Sequence, residues 1–165
     1  MSSDPVAEIL AQWRRERPEL DFSGSAVLLR VLLLERHLFA HVRRSLEPAG
    51  LSPGEFDVLG ALRRAGAPYR LSCGDLAEAT LLTCSGMTHR LDVLERRGLI
   101  GRSACEADRR RVMVELTDDG RSLVDQAVEL RTRDSAGLMA RLDESERREL
   151  ERLLGKLLGL LGEGR

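Results

Sequence analysis

Apolar side chains recur at helical spacing along most of this chain, and capping residues mark where the helices begin. Asp4, followed by a proline, opens a first helix that Pro18 ends. A second helix spans about 23–46, and its apolar residues lie on more than one side. We therefore expect this second helix to be buried on several sides. The apolar face of the first helix consists of Val6, Ile9, Leu10 and Trp13.

Two later segments share a helix-start pattern, in which a serine is followed three residues later by an acid. Ser52 begins the first, in LSPGEF, with proline at the first helical position and a glutamate that completes a capping box. Ser72 begins the second, in LSCGDL, which predicts a short helix. After a turn, Thr83 caps a further helix over 84–97. Two helices joined by a tight turn are typical of a helix-turn-helix.

From Leu99 to Thr117 the apolar period changes to two. LIGRSACEA and RVMVELT predict the two strands of a hairpin with a polar tip. Thr117 then caps a long helix with acids in its first turn, where the helix dipole favours them. Asp143 opens a last helix with a dense stripe of leucines. The order of elements predicts a mainly α (α+β) protein, a winged helix-turn-helix flanked by N- and C-terminal helices.

The terminal helices carry more leucine than one small winged region can cover. We expect residues 1–22 to form an extra N-terminal helix, and residues 23–48 and 118–165 to form a helical dimerisation region. Residues 49–117 would form the winged helix-turn-helix DNA-binding region, within one compact domain overall. A homodimer of this kind presents two recognition helices about one DNA turn apart, ~34–36 Å. The terminal helices could instead pack on each other within one chain.

Composition narrows the class of protein, but it does not by itself indicate a nucleic-acid binder. The chain has 165 residues and a formal net charge of −1, so the distribution of charge is more informative than its total. Between residues 83 and 111, seven arginines stand against four acids. The sequence shows no basic leader and no apolar run of membrane length, and its three cysteines form no paired motif. We therefore expect a reduced, cytoplasmic protein with no membrane segment.

Polar residues of the helix-turn-helix and arginines of the hairpin tip are the candidate DNA contacts. Small polar side chains near the N-terminus of a recognition helix let it approach base edges and phosphates. Arginines at a hairpin tip can enter a narrow minor groove or contact phosphates. Each group alone could also be a solvated helix face or a solubilising loop, but their order along the chain favours DNA. The candidates are Ser72, Thr83, Ser85, Thr88, His89, Arg109, Arg110 and Arg111.

The chain offers little for catalysis or metal binding. We find no paired carboxylates of a cleft, nucleophile–histidine set or phosphate-binding loop, and so we expect no enzyme activity and no cofactor. His37 and His41 are spaced i, i+4 without a neighbouring ligand in sequence, which favours packing or pocket roles over zinc. Cys73 and Cys84 lie at helix starts, where a thiolate is favoured. A cysteine-oxidation sensor therefore stays open as an alternative.

Three motifs, LSPGEFDVLGAL, MTHRLDVLERRGLIGR and DRRRVMVELTDDGR, occur in the order and spacing of a known family. On these motifs the chain resembles the MarR family of bacterial transcription regulators over roughly residues 25–162. The resemblance implies a dimeric winged-helix protein that binds a pseudo-palindromic DNA operator, often beside its own gene, and is released by a small ligand. We therefore expect a ligand-responsive transcription regulator, most often a repressor. A helical interaction module that does not bind DNA is the remaining alternative.

A narrower resemblance is to the urate-responsive branch of this family. It is carried by AQWRRERPELD, EFDVLGALRRAGAPYRLS and the arginine of MTHR. It implies a ligand pocket formed by Trp13, Asp57 and Arg90, with urate or a related purine or carboxylate as the small anionic ligand. A guanidinium suits the anion and an indole suits a flat ring, and Asp57 would pair with Arg90 when no ligand is bound. His89 stands where this branch usually has asparagine, which the chain lacks altogether.

All three implied ligand residues also have structural interpretations. Trp13 could be a core residue, and Asp57 and Arg90 could form a purely structural pair.

Overall fold

The computed structural model describes residues 4–80, 86–104 and 111–162. Within these residues the chain is mainly helical, and three short strands form one sheet. This is the winged helix-turn-helix with flanking helices that the sequence predicts. The helices are α1 (Pro5–Glu16), α2 (Ser23–Leu46), α3 (Pro53–Arg64), α4 (Cys73–Ala79), α5 (Met87–Arg96), α6 (Asp118–Met139) and α7 (Glu144–Gly162), with a 3-10 turn at Glu47–Ala49. The strands are β1 (Arg70–Ser72), β2 (Ile100–Ala104) and β3 (Val112–Leu116).

Capping side chains begin α1 and α3 where the sequence predicts. Ser52 Oγ accepts a hydrogen bond from Glu55 N at 3.3 Å, and Glu55 Oε2 accepts one from Ser52 N at 2.7 Å, which completes the capping box of α3. At the start of α1, Asp4 Oδ1 accepts a hydrogen bond from Val6 N at 3.0 Å. These contacts satisfy N–H groups that have no partner within the helix.

The recognition helix begins later than the sequence pattern indicates. The pattern predicts a helix over 84–97, whereas α5 begins at Met87. Gly86 is its N-cap and has a φ of 81°, in the left-handed region, so the helical backbone does not extend through this residue. The predicted cap Thr83, and Ser85 with it, lie outside the described residues.

A third strand joins the predicted hairpin, so the wing is part of a three-stranded antiparallel sheet in the order β1–β3–β2. Leu71 in β1 lies opposite Val114 in β3. The sequence pattern misses β1 because three residues are too few to show an alternation. Ser72 is also both the last residue of this strand and the cap of α4, and its capping signal hides the strand.

The core lies under the winged region, where α3, α4, α5, α6 and the sheet meet. Leu59 and Leu62 of α3 and Leu94 of α5 face inward as predicted. The first turn of α6 packs so closely that a methyl group on Gly120 would overlap the main-chain carbonyl of Leu99. The largest fully buried side chains are Leu46, Leu59, Leu62, Leu76, Leu94, Val58, Val114 and Val124.

Helix α2 is far more exposed in a single chain than predicted, and the leucines of α7 are exposed as well. Leu32 of α2 is 66% exposed and Leu158 of α7 is 70% exposed. The expectation that α2 is buried on several sides is therefore wrong for the isolated chain, because α1, α3 and α6 cover only part of its surface. Despite this apolar surface, no helix among the described residues is both long and apolar enough to span a membrane.

Helix α1 is attached to the rest of the chain near both of its ends. The guanidinium of Arg30 in α2 binds the carboxylate of Asp4, with Nε 3.0 Å from Oδ2, and this hydrogen bond lowers the pKa of Asp4. Near the other end, Trp13 stacks on Phe22 with ring centroids 6.4 Å apart. The extra N-terminal helix is thereby held along α2.

Candidate nucleic-acid interface and ligand cleft

Helix α5 presents a polar face at its N-terminal end, while its opposite face lies in the core. Leu91 and Leu94 are buried, whereas Thr88 and His89 in the first turn are exposed. Gly86, the N-cap, offers no side-chain hydrogen bond to the first turn. The N-terminus of a helix carries a positive partial charge, which attracts phosphate. This end of α5 can therefore meet DNA with two hydrogen-bonding side chains.

Arg102 in β2 fastens the wing to the recognition helix. Its Nη2 lies 2.6 Å from Asp92 Oδ1, and its Nε lies 2.9 Å from Glu95 Oε2. Asp92 and Glu95 are three residues apart, so both lie on one face of α5. The hydrogen bond from Arg102 lowers the pKa of Glu95, and hydrogen bonds to Glu95 and Asp92 raise the pKa of Arg102. One guanidinium thus holds the hairpin against the helix.

A second arginine ties the loop end of the hairpin to the start of α4. Arg111 Nη2 lies 3.0 Å from Ser72 Oγ and 3.3 Å from Asp75 Oδ2. Ser72 Oγ in turn donates to Asp75 Oδ2 at 2.6 Å and accepts from Asp75 N at 3.2 Å. The hydrogen bond from Ser72, and then the charge of Arg111, lower the pKa of Asp75. Ser72 is only 2% exposed, so its hydroxyl lies inside this cluster rather than at the surface.

The predicted DNA contacts fall in three places. Thr88 and His89 share the exposed face of α5. Arg111 and Ser72 meet where the loop of the hairpin enters β3. The others lie outside the described residues: Thr83, Ser85, Arg109 and Arg110.

Asp57, the carboxylate implied for ligand binding, lines a cleft of about 410 Å³ between α2, α3, α6 and α7. The side chain is largely buried, with Asp57 only 8% exposed. A cleft of this volume suits a small organic molecule. Its apolar lining includes Leu38, Phe39, Val42 and Phe56, and its charged lining includes Glu35 and Arg131.

Arg90 of α5 reaches back to α3 one turn before Asp57. Its side chain lies against Gly54, where an added methyl carbon would be 2.9 Å from Arg90 Cζ and 3.0 Å from Cδ. Gly54 and Asp57 are three residues apart, so they are neighbours on the surface of α3. Asp57 and Arg90 each have an interaction partner in the structure. Two of the three implied ligand residues therefore lie at the same part of α3.

Trp13, the third implied ligand residue, stacks on Phe22 and is 52% exposed. Among the described residues that line the cleft, Asp57 occurs, but Trp13 and Arg90 do not. The alternative that Trp13 is a core residue is wrong for the isolated chain, because half of its surface is open to solvent. Its contact with a ligand stays a prediction.

A polar cluster that the sequence patterns do not predict lies at the edge of the cleft. Asp134 Oδ2 lies 2.8 Å from His41 Nε2 and 2.9 Å from Arg131 Nη1, and Arg131 Nη1 lies 3.0 Å from Ser45 Oγ. No local spacing marks this cluster, because its members come from α2 and α6. Within the described ranges, no three His, Cys, Asp or Glu side chains are grouped so that they could hold a metal ion.

The winged region and most of the chain match known regulators. A model of the MarR family matches residues 49–111. The HTH-type transcriptional regulator PecS of Dickeya dadantii (strain 3937) is 38% identical over 156 residues, which cover 92% of this chain and 92% of that protein. The similarity therefore extends well beyond the helix-turn-helix, into the flanking helices.

Two solved structures are similar over most of the chain. One concerns the regulation of DNA binding of Bordetella bronchiseptica BpsR by 6-hydroxynicotinic acid, with a TM-score of 0.66, 31% identity, and coverage of 78% of this chain and 98% of that chain. The other is a mutant MarR from E. coli complexed with operator DNA, with a TM-score of 0.71, 25% identity, and coverage of 83% and 97%. The fold is that of the family, and PecS is similar to this chain over almost the whole length of both proteins. The chain therefore belongs to the MarR family of winged-helix transcriptional regulators.

Proposed function

We propose that this protein is a homodimeric DNA-binding repressor that a small anionic ligand releases from a pseudo-palindromic operator. The observation that carries the proposal is the polar N-terminal face of α5 beside a wing that Arg102 fixes to the same helix. The N-terminal residues of such a helix meet base edges in the major groove, and basic loops beside it contact phosphates or the minor groove. The similar E. coli MarR mutant is complexed with operator DNA in its structure, which supports this function.

Each predicted DNA contact has its own proposed role. Thr88 and His89 would contact base edges, because hydroxyl and imidazole groups can donate or accept hydrogen bonds there. Arg111 would contact a phosphate from the loop end of the hairpin. Ser72 is buried and would support that contact through Arg111 rather than touch DNA itself. The remaining roles are major-groove contacts for Thr83 and Ser85 and minor-groove contacts for Arg109 and Arg110.

We infer that the apolar faces of α2 and α7 pack against a second copy of the chain. Besides the exposed Leu32 and Leu158, an apolar groove of about 550 Å³ lies between these two helices. Exposed apolar surface of this extent marks an interaction site in a soluble protein, and a two-fold axis would pair the same faces. The two recognition helices would then meet successive turns of the major groove, ~34–36 Å apart.

The proposed ligand is urate, or a related purine or carboxylate, bound in the cleft at Asp57. Arg90 would bind the anion, and the carboxylate of Asp57 would repel it, so the ligand would compete with Asp57 for Arg90. Because Arg90 belongs to α5, this competition would shift the recognition helix. The DNA binding of the similar BpsR is regulated by 6-hydroxynicotinic acid, which is also a flat aromatic acid.

Fluorescence anisotropy with duplexes from the DNA that flanks the gene tests this proposal. We expect binding with a Kd of about 10⁻⁸ M or tighter, which weakens steeply as salt is raised. Urate should release the DNA, and Arg90→Ala should lose this response. Arg148→Ala, on the exposed surface of α7, is the matched control.

Two outcomes count against the proposal. A wild-type protein that binds no such duplex at low salt contradicts the DNA-binding function. An Arg90→Ala variant that responds to urate as the parent does contradicts the ligand assignment.

A further inference from the structure

The first turn of α3 has two faces with different neighbours. Pro53, Phe56 and Asp57 line the apolar cleft. Gly54 and Glu55 instead meet side chains of α5. A proline at the first helical position and a capping box fix the backbone of this turn. A single, well-defined helical turn thus lies between the cleft and the recognition helix.

Arg90 of α5 and Arg97, the C-cap residue of α5, contact this turn at Gly54 and Glu55, beside the residues that line the cleft. Arg97 Nη1 lies 3.3 Å from Glu55 Oε1, whose side chain is largely buried. Arg90 occupies the space beside Gly54 that a side chain would otherwise fill. The two arginines are seven residues apart, about two helical turns, so they project from the same face of α5. The two arginines therefore contact the first turn of α3 at two separate residues.

We propose that Gly54 is the residue that positions Arg90, and through it the recognition helix, on α3. Gly54 is not among the glycines with a positive φ, so its backbone conformation does not require glycine. The Arg90 side chain is the constraint: a Cβ would lie less than 3.0 Å from its Nε and Cζ, closer than real Cβ contacts allow, and 3.0 Å from its Cδ. Any larger residue must displace the Arg90 side chain from this position, and the contact by which Arg90 holds α5 against α3 would be lost.

The contact between Arg90 and Gly54 would transmit ligand binding to α5, and this part of the inference rests on the proposed function. A ligand that draws Arg90 away would remove it from Gly54. The contact between Arg97 and Glu55, two turns further along α5, would stay in place. Helix α5 would then pivot about its C-terminal end, and the largest displacement would fall on its first turn.

A cycle of substitutions in the full-length protein tests the inference. The proteins are the wild type, Gly54→Ala, Arg90→Ala and the double variant, compared by urea unfolding and by duplex binding in anisotropy. We expect Gly54→Ala alone to weaken DNA binding at least about tenfold and to lower the unfolding midpoint, because Arg90 is displaced. When Arg90 is already alanine, the added methyl group has room, so it should change DNA affinity less than about twofold.

The control is Gly137→Ala in α6, where an added methyl group meets no atom within 4 Å. It should bind DNA as the wild type does. If Gly54→Ala fails to fold while the double variant folds, the result supports the inference in the same way as a non-additive cycle.

Equal effects of Gly54→Ala with and without Arg90 overturn the inference, because the glycine would then matter for α3 alone. A folded Gly54→Ala variant that binds DNA as tightly as the wild type overturns it as well. If the wild-type protein binds no duplex, it is the proposed function that fails. The unfolding cycle alone then decides whether Gly54 positions Arg90.

Discussion

Arg111, which precedes β3 at the loop end of the hairpin, donates a hydrogen bond to Ser72 at the start of α4, with 3.0 Å between Nη2 and Oγ. Ser72 also ends β1 and caps α4. One buried hydroxyl group therefore connects a strand end, a helix start and the wing. This contact makes the hairpin and the first helix of the helix-turn-helix a single structural unit.

We expect Ser72→Ala to lower the free energy of unfolding by about 1–2 kcal/mol, because the α4 cap is lost. Urea unfolding followed by circular dichroism measures the change. Ser135→Ala, on the exposed surface of α6, is the matched control and should change stability by less than about 0.5 kcal/mol. If the two variants lost the same free energy of unfolding, the Ser72 cap would not stabilise α4.

Gly120→Ala should destabilise the protein by about 1–3 kcal/mol, as overpacking in a core does. The added methyl group would meet the main-chain carbonyl of Leu99, which has no alternative rotamer to adopt. Gly137→Ala in the same helix meets no neighbour and should stabilise by about 0.5–1 kcal/mol. Thermal unfolding of the two variants would then shift in opposite directions, and a shift in the same direction contradicts this account of the α6 start.

The contact between Glu95 and Arg102 predicts a dependence of stability on acid. The hydrogen bond from Arg102 lowers the folded-state pKa of Glu95 below its ordinary value of 4.5. A lowered folded-state pKa stabilises the protein above the unfolded-state pKa, and this stabilisation is lost as pH falls through the lowered value. Glu95→Gln should therefore be less stable than the wild type at pH 7, and the difference should shrink between about pH 5 and pH 3.

Urea unfolding at both ends of this pH range measures the effect on Glu95. Glu78→Gln, on the exposed surface of α4, is the matched control. A difference between Glu95→Gln and the wild type that stays constant with pH would mean that the pair with Arg102 does not contribute.

Leu158→Glu should convert the proposed dimer to monomers, because it places a charge on the most exposed leucine of α7. Sedimentation equilibrium gives the mass of each species. Ser145→Glu, at the polar start of the same helix, is the control and should stay dimeric. A dimeric Leu158→Glu variant would place the interface elsewhere, and a monomeric wild type would remove the dimer from the proposal.

His89→Ala should reduce the discrimination between the operator and a substituted operator by about 1–3 kcal/mol, since base contacts carry specificity. Arg111→Ala, which removes the proposed phosphate contact, should instead weaken binding to both duplexes alike and lower the slope of log K against log salt by about 1. Anisotropy titrations at several salt concentrations separate the two effects. Full discrimination in His89→Ala would rule out a base contact by this side chain.

Helix starts and the helix-turn-helix were predictable from the sequence, because a cap is a local signal. Ser52 and Thr117 accept hydrogen bonds from N–H groups three residues further along, as their positions in sequence indicate. Helical phase likewise placed Thr88 and His89 on the face opposite Leu94. The predicted start of α5 was wrong, because glycine can adopt either a helical or a left-handed backbone conformation. Gly86 adopts the left-handed one, and the helix begins after it.

The spacing of residues along the sequence could not predict which side chains of different elements are in contact. Arg102 binds Asp92, and Arg90 fills the space beside Gly54, only because tertiary packing brings distant segments together. The exposure of Trp13 also depends on how α1 lies along α2, which no periodicity fixes.

Arg102 also bears on how an operator complex would come apart. Because it joins β2 to two carboxylates of α5, a displaced helix carries the hairpin with it. Major-groove and wing contacts would then be lost in the same step, with no partly bound state held by the wing alone. For the proposed repressor, we expect ligand-induced dissociation from each half-site to follow a single exponential.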